Sequence, residues 1–529
     1  MLAVTSAARS IVEAHERTLD ERARVVDGSV PTPEGLAGHL VRLGMDQLGR
    51  VPATVLDPAC GAGSLLLAAA ERLVRLGVDP VEVVERRLIG VERDPSAAAA
   101  AEVALRRWLW DHDPSASVRP LIHRTDGLHV VAGDGPVPSG GVDLVVANPP
   151  FLDQLDGRSR RDPIERARVT ERFGAIGQYC DTAALFLAAS FEQLAPSGVV
   201  SMLLPTSFLS ARDTTAVRDR LLLRGRLLSL WSTDESCVPA SVQVCAVVAG
   251  LDGGSRAPVE LRWGRADRPV ARVRPPAPGA SWAPLLAVAQ GLPESPVLQG
   301  VQLGTVATVT AGFRDEFYAI CGALEGPGTE RAPVVSVGMI DPLELRWSEG
   351  TWRMAGRRRT EPSVDLAALR ASAPKVAQWV AARRRPKVLV ASQGKVIEAV
   401  ADADGRLVPL TPVLSVEPTS PGIGPWWLLA ALSSPPVAAL VAAQRCGSGL
   451  SGRSVRVSAS TLAEVPLPTD RVRWAAGAEM ARRAQRSTGS RRIELLAEFA
   501  STMTRAHGVE APGVLEWWWD QLRCAGPSS

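Results

Sequence analysis

Two segments of this chain have residue types and a spacing that suit binding of a nucleoside. The first, Asp57 to Ser64 (DPACGAGS), lies between a predicted strand and a predicted helix. Its glycines let the backbone turn sharply and approach a ligand, while the helix N-terminus offers unpaired N–H groups. The second, Glu92, ends the next predicted strand, where an acidic side chain can accept both hydroxyls of a ribose. Together they predict a site for a nucleoside-containing cofactor.

A third segment, Asn148-Pro149-Pro150-Phe151, directly follows the apolar run DLVVA. The two prolines fix φ and keep the preceding residues extended, so Asn148 and the Pro149 carbonyl are held rigidly at the carboxyl edge of the predicted sheet. Asn148 is also the only asparagine among the 529 residues. A structural turn would tolerate Asp, Ser or Gly equally well, so the asparagine indicates function.

The elements that must position these residues alternate in type along the chain. From residue 54 onward, short apolar runs alternate with helical patterns, which predicts parallel strands in an α/β domain with helices on both faces. The second half mixes strands and helices and predicts an α+β domain. The expected organisation is an N-terminal helix at 1–30, an α/β domain at 31–272, a linker at 273–300, an α+β domain at 301–470 and a helical C-terminal segment at 471–529.

Composition excludes several classes of protein. The seven cysteines contain no C-x-x-C, and the six histidines form no H-x-x-x-H, so neither a disulfide framework nor a metal site is expected. No uncharged apolar run reaches the roughly 18 residues of a membrane span, and the start of the sequence lacks the pattern of a signal peptide. We therefore expect a soluble cytoplasmic protein without membrane contact.

Positive charge is concentrated in the second half of the chain. The first 150 residues hold 15 Arg against 20 Asp and Glu, whereas the rest hold 44 Lys and Arg against 36 acids. Between Arg353 and Lys395, eleven basic residues face only Glu361 and Asp365. This segment predicts contact with a polyanion, although a genome that favours arginine would produce similar runs.

In this order, the glycine turn, Glu92 and the Asn-Pro-Pro-Phe segment resemble the S-adenosylmethionine-dependent adenine-N6 DNA methyltransferases, and most closely their gamma arrangement. The resemblance implies a Rossmann-like methyltransferase sheet at 31–272 and a target-recognition domain at 301–470. It also implies that Thr32 lies in a cofactor motif and that Asp126 contacts the cofactor adenine. The implied cofactor-binding set is Thr32, Asp57, Pro58, Ala59, Cys60, Gly61, Gly63, Glu92, Asp126 and Asn148.

The resemblance gives the Asn148 to Phe151 segment a catalytic role. The Asn148 side-chain oxygen and the Pro149 carbonyl would accept hydrogens from the adenine amine, and Phe151 would stack on a base flipped out of the duplex. Double-stranded DNA is the expected substrate, with a separately encoded nuclease or defence complex as a further partner. The expected DNA contacts are Arg357, Arg358, Arg359, Arg383, Arg384, Arg385, Lys387 and Lys395.

Several alternatives remain open at this stage. The same two acceptors suit any planar NH2 group, so RNA and protein glutamine are also possible substrates. A type I-like modification subunit would share the motifs but need a separate specificity subunit. The family's usual second aromatic is missing, with valine at position 238. That departure leaves room for a catalytically weak DNA-binding subunit.

Overall fold

The computed structural model describes residues 6–18, 31–130, 132–133, 135–151, 163–174, 180–235, 237, 242–251, 257–325, 329–446, 455–510 and 512–523. The chain divides into two compact units, Met1–Gln290 and Gly291–Ser529. The division falls inside the segment 273–300 that the sequence predicted as a linker.

The first unit is built on one large sheet. Its strands are β1 (Val55–Asp57), β2 (Leu88–Val91), β3 (Leu121–His123), β4 (Val142–Ala147), β5 (Leu194–Pro205), β6 (Arg226–Ser232), β7 (Val244–Gly250), β8 (Val259–Trp263) and β9 (Arg268–Val273). Its helices are α1 (Ser6–Thr18), α2 (Glu34–Leu48), α3 (Ser64–Arg75), α4 (Pro95–His112), α5 (Pro163–Phe173), α6 (Thr182–Gln193), α7 (Thr215–Arg224) and α8 (Ala283–Ala289).

The strand order is β3-β2-β1-β4-β5-β7-β6-β8-β9. Strands β1 to β5 pair in parallel, and β7 pairs antiparallel with both β5 and β6. Right-handed crossovers place the helices that follow β1 and β2 on one face and the helix between β4 and β5 on the other. The chain order reverses between β1 and β4, and open α/β sheets bind their ligands at such a switch point. This confirms the predicted α/β class.

Local sequence explains how the first helices begin. Gly63 precedes α3 with a φ of 97°, a left-handed conformation that favours glycine. Asp94 caps α4 by accepting from the Ser96 and Ala97 amides at 2.9 and 2.8 Å, and Pro95 occupies the first helical position. Both helices therefore begin directly after the carboxyl ends of β1 and β2.

The end of the first unit holds more regular structure than its Pro- and Gly-rich sequence indicates. Strands β8 and β9 extend the main sheet through Val273, next to the end predicted for the α/β domain at residue 272. The predicted linker at 273–300 also contains α8, whose Leu285 and Leu286 are buried together with the preceding Trp282. The many prolines and glycines of this segment indicated a linker, although the segment also contains a short apolar run that forms a packed helix.

The second unit contains smaller sheets. The strands of this unit are β10 (Ala307–Ala311), β11 (Arg331–Val335), β12 (Ile340–Asp341), β13 (Glu344–Leu345), β14 (Trp352–Met354), β15 (Arg357–Arg359), β16 (Ser363–Asp365), β17 (Lys387–Val390), β18 (Gln393–Gly394), β19 (Ala399–Asp402), β20 (Val408–Pro409), β21 (Leu414–Pro418) and β22 (Val455–Arg456). A four-stranded antiparallel sheet has the order β10-β21-β17-β19, and a three-stranded sheet has the order β16-β11-β20.

The helices of the second unit are α9 (Arg314–Gly322), α10 (Leu366–Ser372), α11 (Pro374–Arg383), α12 (Pro425–Leu432), α13 (Pro435–Arg445), α14 (Ala459–Ala463), α15 (Arg471–Gln485), α16 (Gly489–Ala506) and α17 (Pro512–Arg523). Helices α12 and α13 lie in one apolar run of the sequence, and prolines at the start of α13 divide that run into two helices. Trp474, Phe499 and Trp518 of the C-terminal helices are buried in the same core as the four-stranded sheet. The described part of the predicted helical segment at 471–529 therefore packs as part of this unit.

In the part of the chain that the structure describes, no single helix is long and apolar enough to cross a membrane. Only α12 and α13 taken together pass on length and composition, and that pair is bent by 57°.

Candidate active site

Backbone amides of the glycine turn after β1 donate hydrogen bonds to two carboxyl side chains. Asp57 is 1% exposed, and its Oδ1 accepts from the Ala59 amide at 3.1 Å. Gly61 has a φ of 52°, and its amide donates to Glu92 Oε2 at 2.9 Å. The turn is thus tied to the end of β2, and the two segments that the sequence singled out for a nucleoside are in direct contact.

The carboxyl groups of Asp57, in the turn, and of Glu92, after β2, are in different environments. Glu92 is held by two backbone amides, since its Oε1 also accepts from the Asp94 amide at 2.8 Å. The pKa of Asp57 is raised to about 8, chiefly by burial, with the Ala59 amide opposing the shift and the nearby charge of Glu92 adding to it. Asp57 is therefore mostly protonated at neutral pH, and its carboxyl group orders the turn without adding a full charge.

Asn148 immediately follows β4, at the same edge of the sheet. Its Nδ2 donates to Thr32 Oγ1 at 2.9 Å, which fixes the orientation of the amide and directs Oδ1 away from Thr32. Pro149 is buried, and Phe151 is half-buried against the hydrophobic core of the first unit. Thr32, which precedes α2, therefore orients the asparagine, a contact that the motif resemblance alone did not specify.

These residues surround a cavity of about 580 Å³. Nine of the ten predicted cofactor residues line it, namely Thr32, Asp57, Pro58, Ala59, Cys60, Gly61, Glu92, Asp126 and Asn148. Of the catalytic tetrapeptide, Asn148 and Pro150 line it. A Cβ on the tenth, Gly63, would lie 3.3 Å from the Ala101 Cβ, so this glycine allows close packing of the turn against α4.

The opposite wall of the cavity is formed near Asp126. Asp126 Oδ1 accepts from the Leu128 amide at 2.9 Å and caps a short 3-10 helix, Gly127–His129. A Cβ on Gly127 would lie 1.9 Å from the Pro58 carbonyl oxygen, so only glycine allows these two segments to meet. Phe186 from α6 completes this wall.

Sequence reasoning missed several lining residues. His15 and Glu16 come from α1, and Arg93, Asp94 and Pro95 follow Glu92. The last three could have been inferred because they continue the predicted strand end. Nothing in the periodicity of α1 indicates where that helix packs, so His15 and Glu16 had no signal in the sequence.

The predicted DNA contacts in the second unit fall into two groups. Arg357, Arg358, Arg384 and Arg385 are exposed, and Lys395 is half-buried. Lys387 is fully buried, and its Nζ pairs with Asp402, so it is not available to DNA. This corrects its assignment, because a strand position facing the core overrides the local run of basic residues.

Arg359 and Arg383 also differ from the prediction. The Arg359 side chain is 9% exposed and pairs with Glu325, and the Arg383 side chain is 14% exposed and lies 3.4 Å from Glu417. Both guanidinium groups therefore have acidic partners within the unit, and neither is presented to a polyanion. Among the described residues, no group of three or more His, Cys, Asp and Glu side chains could hold a metal ion.

The fold and the cavity define an α/β domain with a cavity at the switch point of the sheet, beside an Asn-Pro-Pro-Phe loop. Residues 11–227 match the model of the N-6 DNA Methylase family. The position expected for the second aromatic, Val238, lies outside the described residues.

Two curated relatives match over 173 residues each. The Type II methyltransferase M.BanIII of Aneurinibacillus aneurinilyticus is 28% identical, over 31% of this chain and 27% of the relative. The Type I restriction enzyme MjaIX methylase subunit of Methanocaldococcus jannaschii is 27% identical, over 32% of this chain and 28% of the relative. The match thus spans little more than a quarter of each relative.

A solved structure extends the similarity beyond the matched family segment. The Type IIL restriction-modification enzyme MmeI, solved in complex with DNA, aligns with 97% of this chain and 81% of its own, at a TM-score of 0.63 and 12% identity. At this identity the similarity shows a shared fold, and it includes the second unit.

Proposed function

We propose that this chain is a site-specific DNA adenine-N6 methyltransferase of a restriction-modification or phage-defence system that uses S-adenosyl-L-methionine. The observation that carries the proposal is the position of Asn148. It follows β4, is oriented by Thr32, and lines the same cavity as the glycine turn and Glu92. The match to the N-6 DNA Methylase family supports DNA as the substrate, and the two relatives, named a Type II methyltransferase and a Type I restriction enzyme methylase subunit, agree with it.

The residues of the cavity fit S-adenosylmethionine. Its volume of about 580 Å³ suits a ligand of this size. Glu92 would hold the ribose hydroxyls and Asp126 the adenine, while an added Cβ on Gly61 would meet no atom within 4 Å, so the backbone there borders open space. Bound at this site, the cofactor would supply a methyl group activated on a sulfonium.

The chain's own part is to hold the adenine amine in a reactive geometry. The lone pair of this amine is delocalised into the purine, which makes it a poor nucleophile. If Asn148 Oδ1 and the Pro149 carbonyl oxygen accept its two hydrogens, the nitrogen moves towards tetrahedral geometry and its lone pair becomes available. Positioning of this kind can supply roughly 7 to 11 kcal/mol of the barrier, so no strongly basic residue is needed. The methyl–sulfur bond would break as the N–C bond forms, which leaves the neutral thioether S-adenosylhomocysteine, and the extra proton on the methylated amine would then pass to solvent.

The target base must leave the duplex to reach Asn148. Unstacking a base costs a few kcal/mol, which stacking and hydrogen bonds in the pocket can offset. Phe151 is the aromatic residue next to the acceptors, and its contact with the core of the first unit fixes the ring. We propose that Phe151 stacks on the flipped adenine.

Double-stranded DNA would contact the second unit through its exposed arginines. Arg357 lies on the β14–β15 hairpin, and Arg384 and Arg385 lie between α11 and β17. These side chains would bind phosphates and set the register, while other groups of the same unit read base edges. A separately encoded nuclease or defence complex would act on unmethylated sites.

The test is methylation of plasmid DNA by purified protein, with wild type compared with Asn148→Ala and Asn148→Asp. We expect wild type to place N6-methyladenine within one sequence motif, detected by single-molecule sequencing. Asn148→Ala should still bind cofactor and transfer no methyl group, while Asn148→Asp keeps one acceptor and should retain partial activity. Methyl groups found on cytosine C5, RNA or protein would overturn the assignment.

A further inference from the structure

The N-terminal helix α1 is docked on the first unit by apolar and charged contacts. Ala8 and Val12 are buried in the core of that unit. Arg9 reaches Glu34 of α2 at 2.7 Å and Glu71 of α3 at 2.6 Å. Because one guanidinium links two other helices, the direction and rotation of α1 are fixed.

The C-terminal half of α1 forms part of the cavity wall. His15 and Glu16 both line the cavity, and Glu16 Oε1 accepts from Ser64 Oγ at 3.3 Å. Ser64 is the first residue of α3, directly after the glycine turn. In the described part of the chain, the buried His15 Nε2 makes no hydrogen bond. Glu16 therefore places a carboxylate at the end of the turn opposite Glu92.

The two glutamates, Glu16 and Glu92, lie at opposite ends of the glycine turn that lines the cavity. Glu92 contacts the turn at Gly61, and Glu16 contacts it at Ser64. If the ribose is held at Glu92 and the adenine at Asp126, the amino-acid part of the cofactor extends along the turn towards Ser64. That part carries an ammonium group, which forms its strongest hydrogen bonds with a carboxylate.

We propose that Glu16 binds the α-ammonium group of the cofactor, which makes α1 a part of the cofactor site. The inference rests on the proposed use of S-adenosylmethionine and adds a positioning residue from outside the recognised motifs. Arg93, Asp94 and His15 line the same cavity and belong to the charge environment of this group. The proposal predicts that affinity depends on Glu16 only when the ligand carries an amino-acid group.

Two ligands separate the ends of the cofactor. S-adenosylhomocysteine retains the amino acid, whereas 5′-methylthioadenosine retains the nucleoside and lacks the ammonium and carboxylate. Dissociation constants for both would be measured by calorimetry on the full chain, for wild type and Glu16→Gln. Glutamine keeps the shape and an acceptor for Ser64, so the fold should be preserved. Glu13→Gln is the matched control, because Glu13 is exposed on the same helix and carries the same charge.

We expect Glu16→Gln to weaken binding of S-adenosylhomocysteine by roughly 10-fold or more, the reduction typical of removing a charge-assisted hydrogen bond. Binding of 5′-methylthioadenosine should change by less than about 2-fold, and Glu13→Gln should bind both ligands as wild type does. Equal weakening for the two ligands would show a general effect on the cavity and refute the assignment of Glu16 to the ammonium.

The outcomes also separate this inference from the proposed function. If wild type binds S-adenosylhomocysteine and Glu16→Gln binds it equally well, the inference alone is refuted. If wild type binds neither ligand, the cofactor proposal and the inference that rests on it both fail. Hydrogen exchange of the α1 backbone gives a second measurement, since S-adenosylhomocysteine should slow it and 5′-methylthioadenosine should not.

Discussion

Two aspartates on neighbouring strands, Asp57 on β1 and Asp143 on β4, should respond to substitution by asparagine with opposite signs. Asp57 is fully buried, and its pKa is raised to about 8, chiefly by that burial. Asp143 is partly buried, which opposes ionisation, but a hydrogen bond from Arg50 and the Ala53 amide outweigh this and lower its pKa. Both oxygens of Asp143 accept at 2.6 Å.

The sign for Asp57 follows from its two pKa values. In the folded chain it retains a proton at pH 7 that the unfolded chain, at a reference pKa of 3.8, has released. The contribution of Asp57 to stability is therefore most favourable below pH 3.8 and is lost as the pH rises towards 8. The roughly 3 pH units between 3.8 and 7 correspond to about 4 kcal/mol at 1.36 kcal/mol per unit. Asparagine cannot ionise and still offers an oxygen to the Ala59 amide, so Asp57→Asn should recover much of this loss.

The sign for Asp143 is the reverse. Its folded-state pKa is depressed, so its contribution to stability is present above the unfolded pKa and lost as the pH falls through the folded pKa. Asp143→Asn should therefore be less stable than wild type at pH 7, and the difference should shrink under acid conditions. The two variants differ from wild type by the same replacement of a carboxyl group by an amide.

The assay is urea unfolding followed by circular dichroism, at a series of pH values from 4.5 to 8.5, with each variant compared with wild type at the same pH. The stability gained by Asp57→Asn should grow as the pH rises and level off near pH 8. A gain that is constant across the range would refute the reasoning, because it would show that ionisation of Asp57 is not the cause. Asp143→Asn should instead be less stable than wild type by a nearly constant amount across this range, because the folded and unfolded pKa values of Asp143 both lie below it.

Three further predictions concern ligands and DNA. Glu92→Ala should reduce the binding free energy for S-adenosylhomocysteine by about 1.5 to 3 kcal/mol in calorimetry, and unchanged affinity would exclude it as the ribose acceptor. Arg357→Ala should weaken binding to all DNA sequences and reduce the slope of log affinity against log salt by about 0.9 for each phosphate that is no longer neutralised. Lys387→Met should leave that slope unchanged. It should destabilise the fold by roughly 3 to 5 kcal/mol, because the buried Asp402 carboxylate loses its cation. Truncation after Gln290 should leave cofactor binding intact and abolish methylation at a defined motif; retained methylation of the same motif would favour a type I-like subunit that takes its specificity from a partner.

The sheet and the ends of its strands could be predicted because they are encoded locally. Asp57, Glu92 and Asn148 each end an apolar run, and parallel strands bring such ends to one edge whatever the rest of the chain does. The predicted glycine turn and the Glu92 carboxylate accordingly meet in the structure. Strand β9 was harder to see, since its exposed positions dilute the apolar signal and its hydrogen bonds come from its partner strand β8.

Charge patterns were weaker guides, because a run of basic residues does not show which way each side chain points. Lys387 begins β17 and faces the core, where Asp402 on the paired strand β19 lies opposite it. Arg385, two residues earlier, is 55% exposed although it also contacts Glu417. The local sequence is equally basic at both positions, so only the register of the strands separates a structural cation from a candidate DNA contact.

The position of α1 shows a different limit of sequence reasoning. Its helical spacing was visible, but the contacts that seat it are made by Arg9 with residues of α2 and α3 that are 25 and 62 positions away in the sequence. The carboxylate of Glu16 reaches the glycine turn only because those contacts fix the helix. The strand ends of the cofactor site are therefore encoded by local sequence, whereas the position of α1 beside them depends on long-range contacts. We expect substitutions at Arg9 to affect cofactor binding through Glu16, even though Arg9 itself does not line the cavity.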